Sequence, residues 1–100
     1  MDNCIPNNEM IWILTVKLYK NGREALFVPQ TFVSKSKDKL VDIMKNIRQD
    51  KYEEIKQKEN LELCGIEIDP NNNFVYIECY NKVNGVTYEL RCNLYNSIVV

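Results

Sequence analysis

From Met10 the chain alternates. Trp12, Leu14, Val16 and Leu18 recur at every second position, the spacing of a strand that buries one face. Lys20-Asn21-Gly22-Arg23 follows, and Asn-Gly supplies the positive φ that tight hairpins need. A two-residue turn and a bulged turn here give different pairings, and both match apolar with apolar. A second strand is expected over roughly Glu24 to Val33. Pro29 within it cannot donate to a ladder, so this strand is read as an edge.

The period then changes. Leu40, Val41, Met44, Ile47 and Ile55 fall at helical spacing and mark one buried stripe. Ser34 or Ser36 offers an N-cap, and Asp38 sits in the first turn, facing the positive helix end. The helix is expected to run to about Glu59. Residues 50–60 hold seven charges, so that end is expected to overhang into solvent.

Three strands complete the pattern. Leu61 to Asp69 leads into Pro70-Asn71-Asn72-Asn73, Phe74 to Tyr80 returns, and Val86 to Tyr95 follows a second Asn-Gly at Asn84-Gly85. Val75, Ile77 and Cys79 share one face, as do Val86, Tyr88, Leu90 and Cys92. A four-residue loop at 70–73 pairs Asp69 with Phe74, Ile68 with Val75, Ile66 with Ile77 and Cys64 with Cys79. A two-residue turn at Asn84-Gly85 pairs Val83 with Val86, Tyr80 with Glu89, Glu78 with Arg91 and Ile77 with Cys92. The expected fold is α+β: a single antiparallel sheet of about five strands with one long helix packed on one face, order ββαβββ. The opening hairpin and helix resemble the start of a β-grasp (ubiquitin-like) domain over about half the chain. The long C-terminal meander departs from that family, and no function is carried over.

One hundred residues make one domain. The expected organisation is a flexible arm at 1–9 and a domain at 10–100. The arm lacks the basic and apolar regions of a signal peptide, and no apolar run approaches the ~20 residues of a membrane span. A cytoplasmic protein without membrane contact is expected. Asn, Lys and Ile number 13, 10 and 10, which points to an AT-rich gene such as those of low-GC bacteria and their phages.

Charge and residue types narrow the chemistry. Lys and Arg total 13, Asp and Glu 14, and histidine is absent. The usual general base and commonest metal ligand are therefore missing. Cys4, Cys64, Cys79 and Cys92 form no C-x-x-C pair, which removes the main support for zinc or thioredoxin-type chemistry. Cys64, Cys79 and Cys92 are expected to point inward as reduced, buried apolar groups. A labile Cys64–Cys79 redox pair is the alternative.

Glu67, Asp69, Glu78 and Glu89 form an acidic group that could hold a divalent cation; solvated strand charges are the preferred reading. No metal, cofactor or catalytic residue is assigned, and no enzyme is expected. The helix start, with Lys35, Lys37, Lys39, Lys45, Arg48 and Lys51, is the best nucleic-acid patch. Asp38, Asp42 and Asp50 interrupt it, leaving +3, which favours a solvated helix face over a nucleic-acid contact.

The outer sheet face is expected to carry Leu63, Glu67, Asp69, Tyr76, Glu78, Tyr80, Glu89 and Arg91. Tyrosines among carboxylates suit a basic protein surface better than phosphates. The expectation is a small protein-binding module, of the inhibitor or anti-defence kind that phages and mobile elements encode against host nucleic-acid-handling machinery. Its partner-binding residues would be Tyr76, Tyr80, Glu67, Asp69, Glu78 and Glu89. The alternatives are a nucleic-acid-binding regulator using the helix start and, third, a carboxylate-metal enzyme. Ile11, Ile13 and Phe27 on the first hairpin, with Ile98, Val99 and Val100, exceed what one buried face needs, so a homodimer or a hydrophobic partner contact through that hairpin is also expected.

Overall fold

The computed structural model describes residues 9–24 and 30–99. The elements are β1 (Glu9–Lys20), β2 (Arg23–Glu24), β3 (Gln30–Ser34), α1 (Lys37–Gln57), β4 (Leu61–Ile68), β5 (Phe74–Asn81) and β6 (Thr87–Val99). All pairings among the described residues are antiparallel, in the order β2-β1-β6-β5-β4, with β3 also on β1. The second strand expected from the sequence is present as β2 and β3, both on the same edge of β1. Pro29 and Phe27 lie between them, outside the described residues, as do residues 1–8.

One sheet face is apolar and lies under α1. Cross-strand rows run Leu18–Leu90–Ile77–Ile66 and Val16–Cys92–Val75–Ile68. Leu14 pairs with Leu94 on one side and Phe32 on the other. Leu40, Val41, Met44 and Ile55 of α1 close this core, with Ile43 and Ile47 half-buried beside it. Ser36 is the N-cap, accepting from the Lys39 N–H at 3.4 Å, while Ser34 accepts from the Ser36 N–H at 3.0 Å. The C-terminal end of α1 does not overhang. Ile55 is buried, and the charges around it lie on the helix flanks, where Lys51 and Glu54 pair at 2.8 Å.

The turns decide the register. Asn21 (φ 52°) and Gly22 (φ 78°) form a two-residue turn that pairs Lys20 with Arg23, the mirror-image geometry that matches strand twist. The turn at 70–73 closes on an Asp69 N–H to Phe74 carbonyl bond of 3.1 Å, and Ile68–Val75 and Ile66–Ile77 pair as expected.

Two expectations fail. Cys64 does not oppose Cys79, because a bulge between Leu63 and Gly65 puts Leu63 there instead. The extra residue flips the start of β4: Leu63 packs on the core and Cys64 is exposed. The third turn is a four-residue loop, Lys82 to Gly85, with the Asn81 N–H donating to Val86 and the Gly85 N–H to Asn81. Only Gly85 takes a positive φ, 75°. The pairing slides by two residues, so Ile77 meets Leu90, Tyr80 meets Thr87, Glu78 meets Glu89 and Tyr76 meets Arg91. A two-residue slide keeps every side chain on its face, and alternation alone could not detect it.

Candidate outer-face site

The face away from α1 is built from the other half of the alternation. One row runs Lys17–Arg91–Tyr76–Glu67, and the next runs Glu24–Tyr19–Glu89–Glu78–Gly65. Thr87, Tyr80 and Glu62 continue it at one end, and Thr15, Asn93 and Phe74 at the other. In these rows two cations stand against five carboxylates.

Glu78 and Glu89 lie directly opposite one another, a placement that repels unless each carboxylate has its own donor. Both do. Arg91 grips Glu89 through Nε at 3.0 Å and Nη2 at 2.6 Å. The Tyr76 hydroxyl donates to Glu78 Oε1 at 2.9 Å. The Arg91 guanidinium also lies 4.4 Å from the Tyr19 ring centre and 5.7 Å from that of Tyr76, a cation–π arrangement. Glu89, at 9% exposure, is the most enclosed charged group among the described residues. Gly65 packs against this group: a Cβ there would make ordinary van der Waals contact, 3.7 Å from the Tyr76 ring and 3.5 Å from Glu78 Oε1.

Protonation states follow from these contacts. Burial, then the hydrogen bond to Glu78, pushes the Tyr76 hydroxyl up to about 12. Tyr80 donates to Glu62, which raises its pKa as well. The bond to Glu89 raises that of Arg91 and keeps it charged. Burial pushes the Cys92 thiol up to about 11 and raises Cys79. Cys64 is raised by desolvation and then by Glu78. All three therefore stay protonated at neutral pH, where a thiol is a poor nucleophile.

Of the residues expected on this face, Tyr76, Tyr80, Glu67, Glu78, Glu89 and Arg91 are there. Leu63 is not, because of the bulge. Asp69 is spent on the 70–73 turn, where its carboxylate accepts from the Asn73 N–H at 2.9 Å. Lys17, Tyr19 and Glu62 complete the face. The alternation of β1 puts Lys17 and Tyr19 opposite Val16 and Leu18, but only the β1–β6 pairing brings them to Arg91.

No set of three or more Cys, Asp or Glu side chains able to hold a metal occurs among the described residues. At the helix start, Lys37 is drawn back onto the fold. Its ammonium lies 4.9 Å from the Trp12 ring and 3.5 Å from the Asn71 carbonyl. A cavity of about 330 Å³ between α1 and the sheet is lined by Val16, Leu18, Ile47 and Leu90 with the paired Lys51 and Glu54. Ile11 and Ile13 face outward as expected and are half-buried, beside exposed Val33 and Tyr95. No helix among the described residues is long and apolar enough to cross a membrane. No family model matches the chain, and no similar curated protein or solved structure was found.

Proposed function

We propose that the chain is a non-enzymatic protein-binding module, of the inhibitor or regulator kind that phages and mobile elements encode, and that its outer sheet face contacts a basic surface of the partner. The observation that carries the reading is the charge arrangement around Tyr76. Glu89 consumes Arg91, whereas among the described residues no ion pair within 4 Å is made by Glu62, Glu67 or Glu78; Glu62 and Glu78 accept from tyrosine hydroxyls. Phosphates would be repelled, and a groove rich in Lys and Arg would be attracted. Tyr19, Tyr76 and Tyr80 are already held by neighbours, so they would lose little side-chain freedom on binding.

The test is affinity capture from a host lysate with mass spectrometry, followed by binding measurements on the captured protein. Tyr76→Phe with Tyr80→Phe leaves the rings but removes both hydroxyls, and it controls for the fold. Tyr76→Ala with Tyr80→Ala is expected to weaken binding at least ~tenfold, about 1.4 kcal/mol. Glu67→Lys with Glu78→Lys is expected to slow association and lessen its salt sensitivity. If these variants bind like the parent while Lys39→Glu with Lys45→Glu abolishes binding, the site lies on the helix and the nucleic-acid reading replaces this one.

A further inference from the structure

β1 and β6 outrun the rest of the sheet. β5 stops pairing with β6 at Asn93, and β3 stops pairing with β1 at Trp12. Among the described residues, Glu9 to Ile11 and Ser97 to Val99 therefore continue as a ribbon paired only to each other. Lys37, the first residue of α1, reaches the Trp12 ring with its ammonium, and the ribbon continues past that contact. Met10 and Ile98 face each other across it at 49% and 60% exposure. On the opposite face Tyr95 is 47% exposed and Val33, in the same row, 60%.

The free edge of β6 has a defined hydrogen-bonding pattern. The Leu94 N–H points toward β5 and donates to Asn73 at 2.7 Å. Peptide direction alternates along a strand, so Asn96 and Ile98 aim their N–H and C=O groups out at an edge that no other strand among the described residues covers. Tyr95, Ser97 and Val99 aim theirs at β1. Edge strands are normally protected by charge, proline or a bulge. β4, at the other end of the sheet, has a bulge at Cys64 and carries Glu62 and Glu67. Residues 92–100 contain no charge, proline or glycine.

We infer that the Tyr95–Val99 edge of β6 pairs antiparallel with the same edge of a second copy of this chain, about a two-fold axis through Ser97. The geometry selects that axis. With Ser97 facing Ser97, Asn96 of one copy meets Ile98 of the other, and these outward-pointing residues exchange both backbone bonds. Tyr95 meets Val99. The pairing preserves the face of every residue, so Ile98 and Met10 of one copy extend the apolar face of the other. Self-pairing brings like groups together, and an uncharged segment is the kind that tolerates it. The same neutrality gives a basic partner no electrostatic reason to choose this edge, so it stands apart from the outer-face site. The contact is small beside the ~800 Å² per partner of a standard interface, so the dimer is a concentration-dependent one.

Sedimentation velocity from about 10 μM to about 500 μM tests this, with monomer passing to dimer expected across the range. Ile98→Pro removes an N–H that faces only the open edge, so the β1–β6 ladder is kept. It is expected to raise the dimer dissociation constant at least ~tenfold. Ser97→Lys, which opposes two like charges at the axis, is expected to do the same with an unchanged thermal midpoint. In a Cys4→Ser, Cys64→Ser background, Ser97→Cys should cross-link two chains on mild oxidation. A non-hydrogen-bonded antiparallel pair sets its Cα atoms ~4.5 Å apart, within disulfide reach. A chain monomeric throughout the range overturns the inference. So does a dimer that persists in both edge variants and fails to cross-link at position 97.

Discussion

Tyr76 joins the outer face to the pH behaviour of the whole fold. Its hydroxyl is desolvated and held by Glu78, and its pKa rises from 10.0 to about 12. The folded chain thus holds this proton more tightly than the unfolded chain does. The resulting stabilisation is complete below pH 10 and is lost as pH rises through about 12. Ionised Tyr76 would also set a third negative group beside Glu78 and Glu89. Thermal unfolding followed from pH 10 to about 12 is expected to show this loss. Tyr76→Phe, with no proton to release, is expected to flatten it, leaving the smaller share due to Tyr80. An alkaline profile identical in parent and variant would contradict the role given to the Tyr76–Glu78 bond.

Among the elements, the turns and the bulge set the registers. Asn21 does more than close the first hairpin. Its N–H donates to the Thr87 carbonyl at 2.9 Å, and its Oδ1 accepts from the Thr87 N–H at 3.0 Å. The turn therefore fastens β1 to the start of β6 across 66 residues. Asn21→Ala removes the side-chain acceptor and forces a Cβ residue without local polar compensation to φ 52°. It is expected to cost about 2 kcal/mol, and Asn21→Gly about half that, because glycine accepts the angle and loses only the acceptor. Urea midpoints at constant m-value measure both. The Cys64 bulge works in the opposite sense, letting Leu63 stay in the core while Gly65 passes beneath Tyr76 without a side chain.

For the molecule as a whole, the central pair is made by the strands farthest apart in sequence. β1 and β6 pair along Glu9 to Lys20 and Lys20's partner Tyr88 to Val99. Closing that loop is entropically demanding and implies folding slower than for a chain of local contacts. It also grades stability along the sheet. Tyr88 to Asn93 of β6 has a strand on each side, whereas among the described residues Tyr95 to Val99 has one. Amide hydrogen exchange of the monomer is expected to be slowest over Val16, Leu90 and Cys92 and fastest at Asn96 and Ile98. At concentrations where the chain dimerises, Asn96 and Ile98 are the amides expected to gain protection. Uniform exchange along β6 would be inconsistent with the ribbon as described.

The alternation of Val75, Ile77, Cys79, Leu90 and Cys92, the helical stripe through Leu40, Val41, Met44 and Ile55, and the Asn21-Gly22 turn were enough to specify an antiparallel sheet under one helix. These are local signals, because side-chain period and turn stereochemistry act over a few residues. They also placed Tyr76, Glu78, Glu67 and Glu89 on a common outer face. Their partners could not be read in the same way. A slide of two residues at the 82–85 loop leaves alternation intact while exchanging Arg91 for Glu89 opposite Glu78. One extra residue at Cys64 reverses Leu63 without changing the pattern after it. The union of β1 with β6, which brings Tyr19 and Lys17 to Arg91 and leaves the Tyr95–Val99 edge unpaired among the described residues, depends on packing both hairpins against α1. That choice is made by burial of the whole apolar face, and no short stretch of sequence contains it.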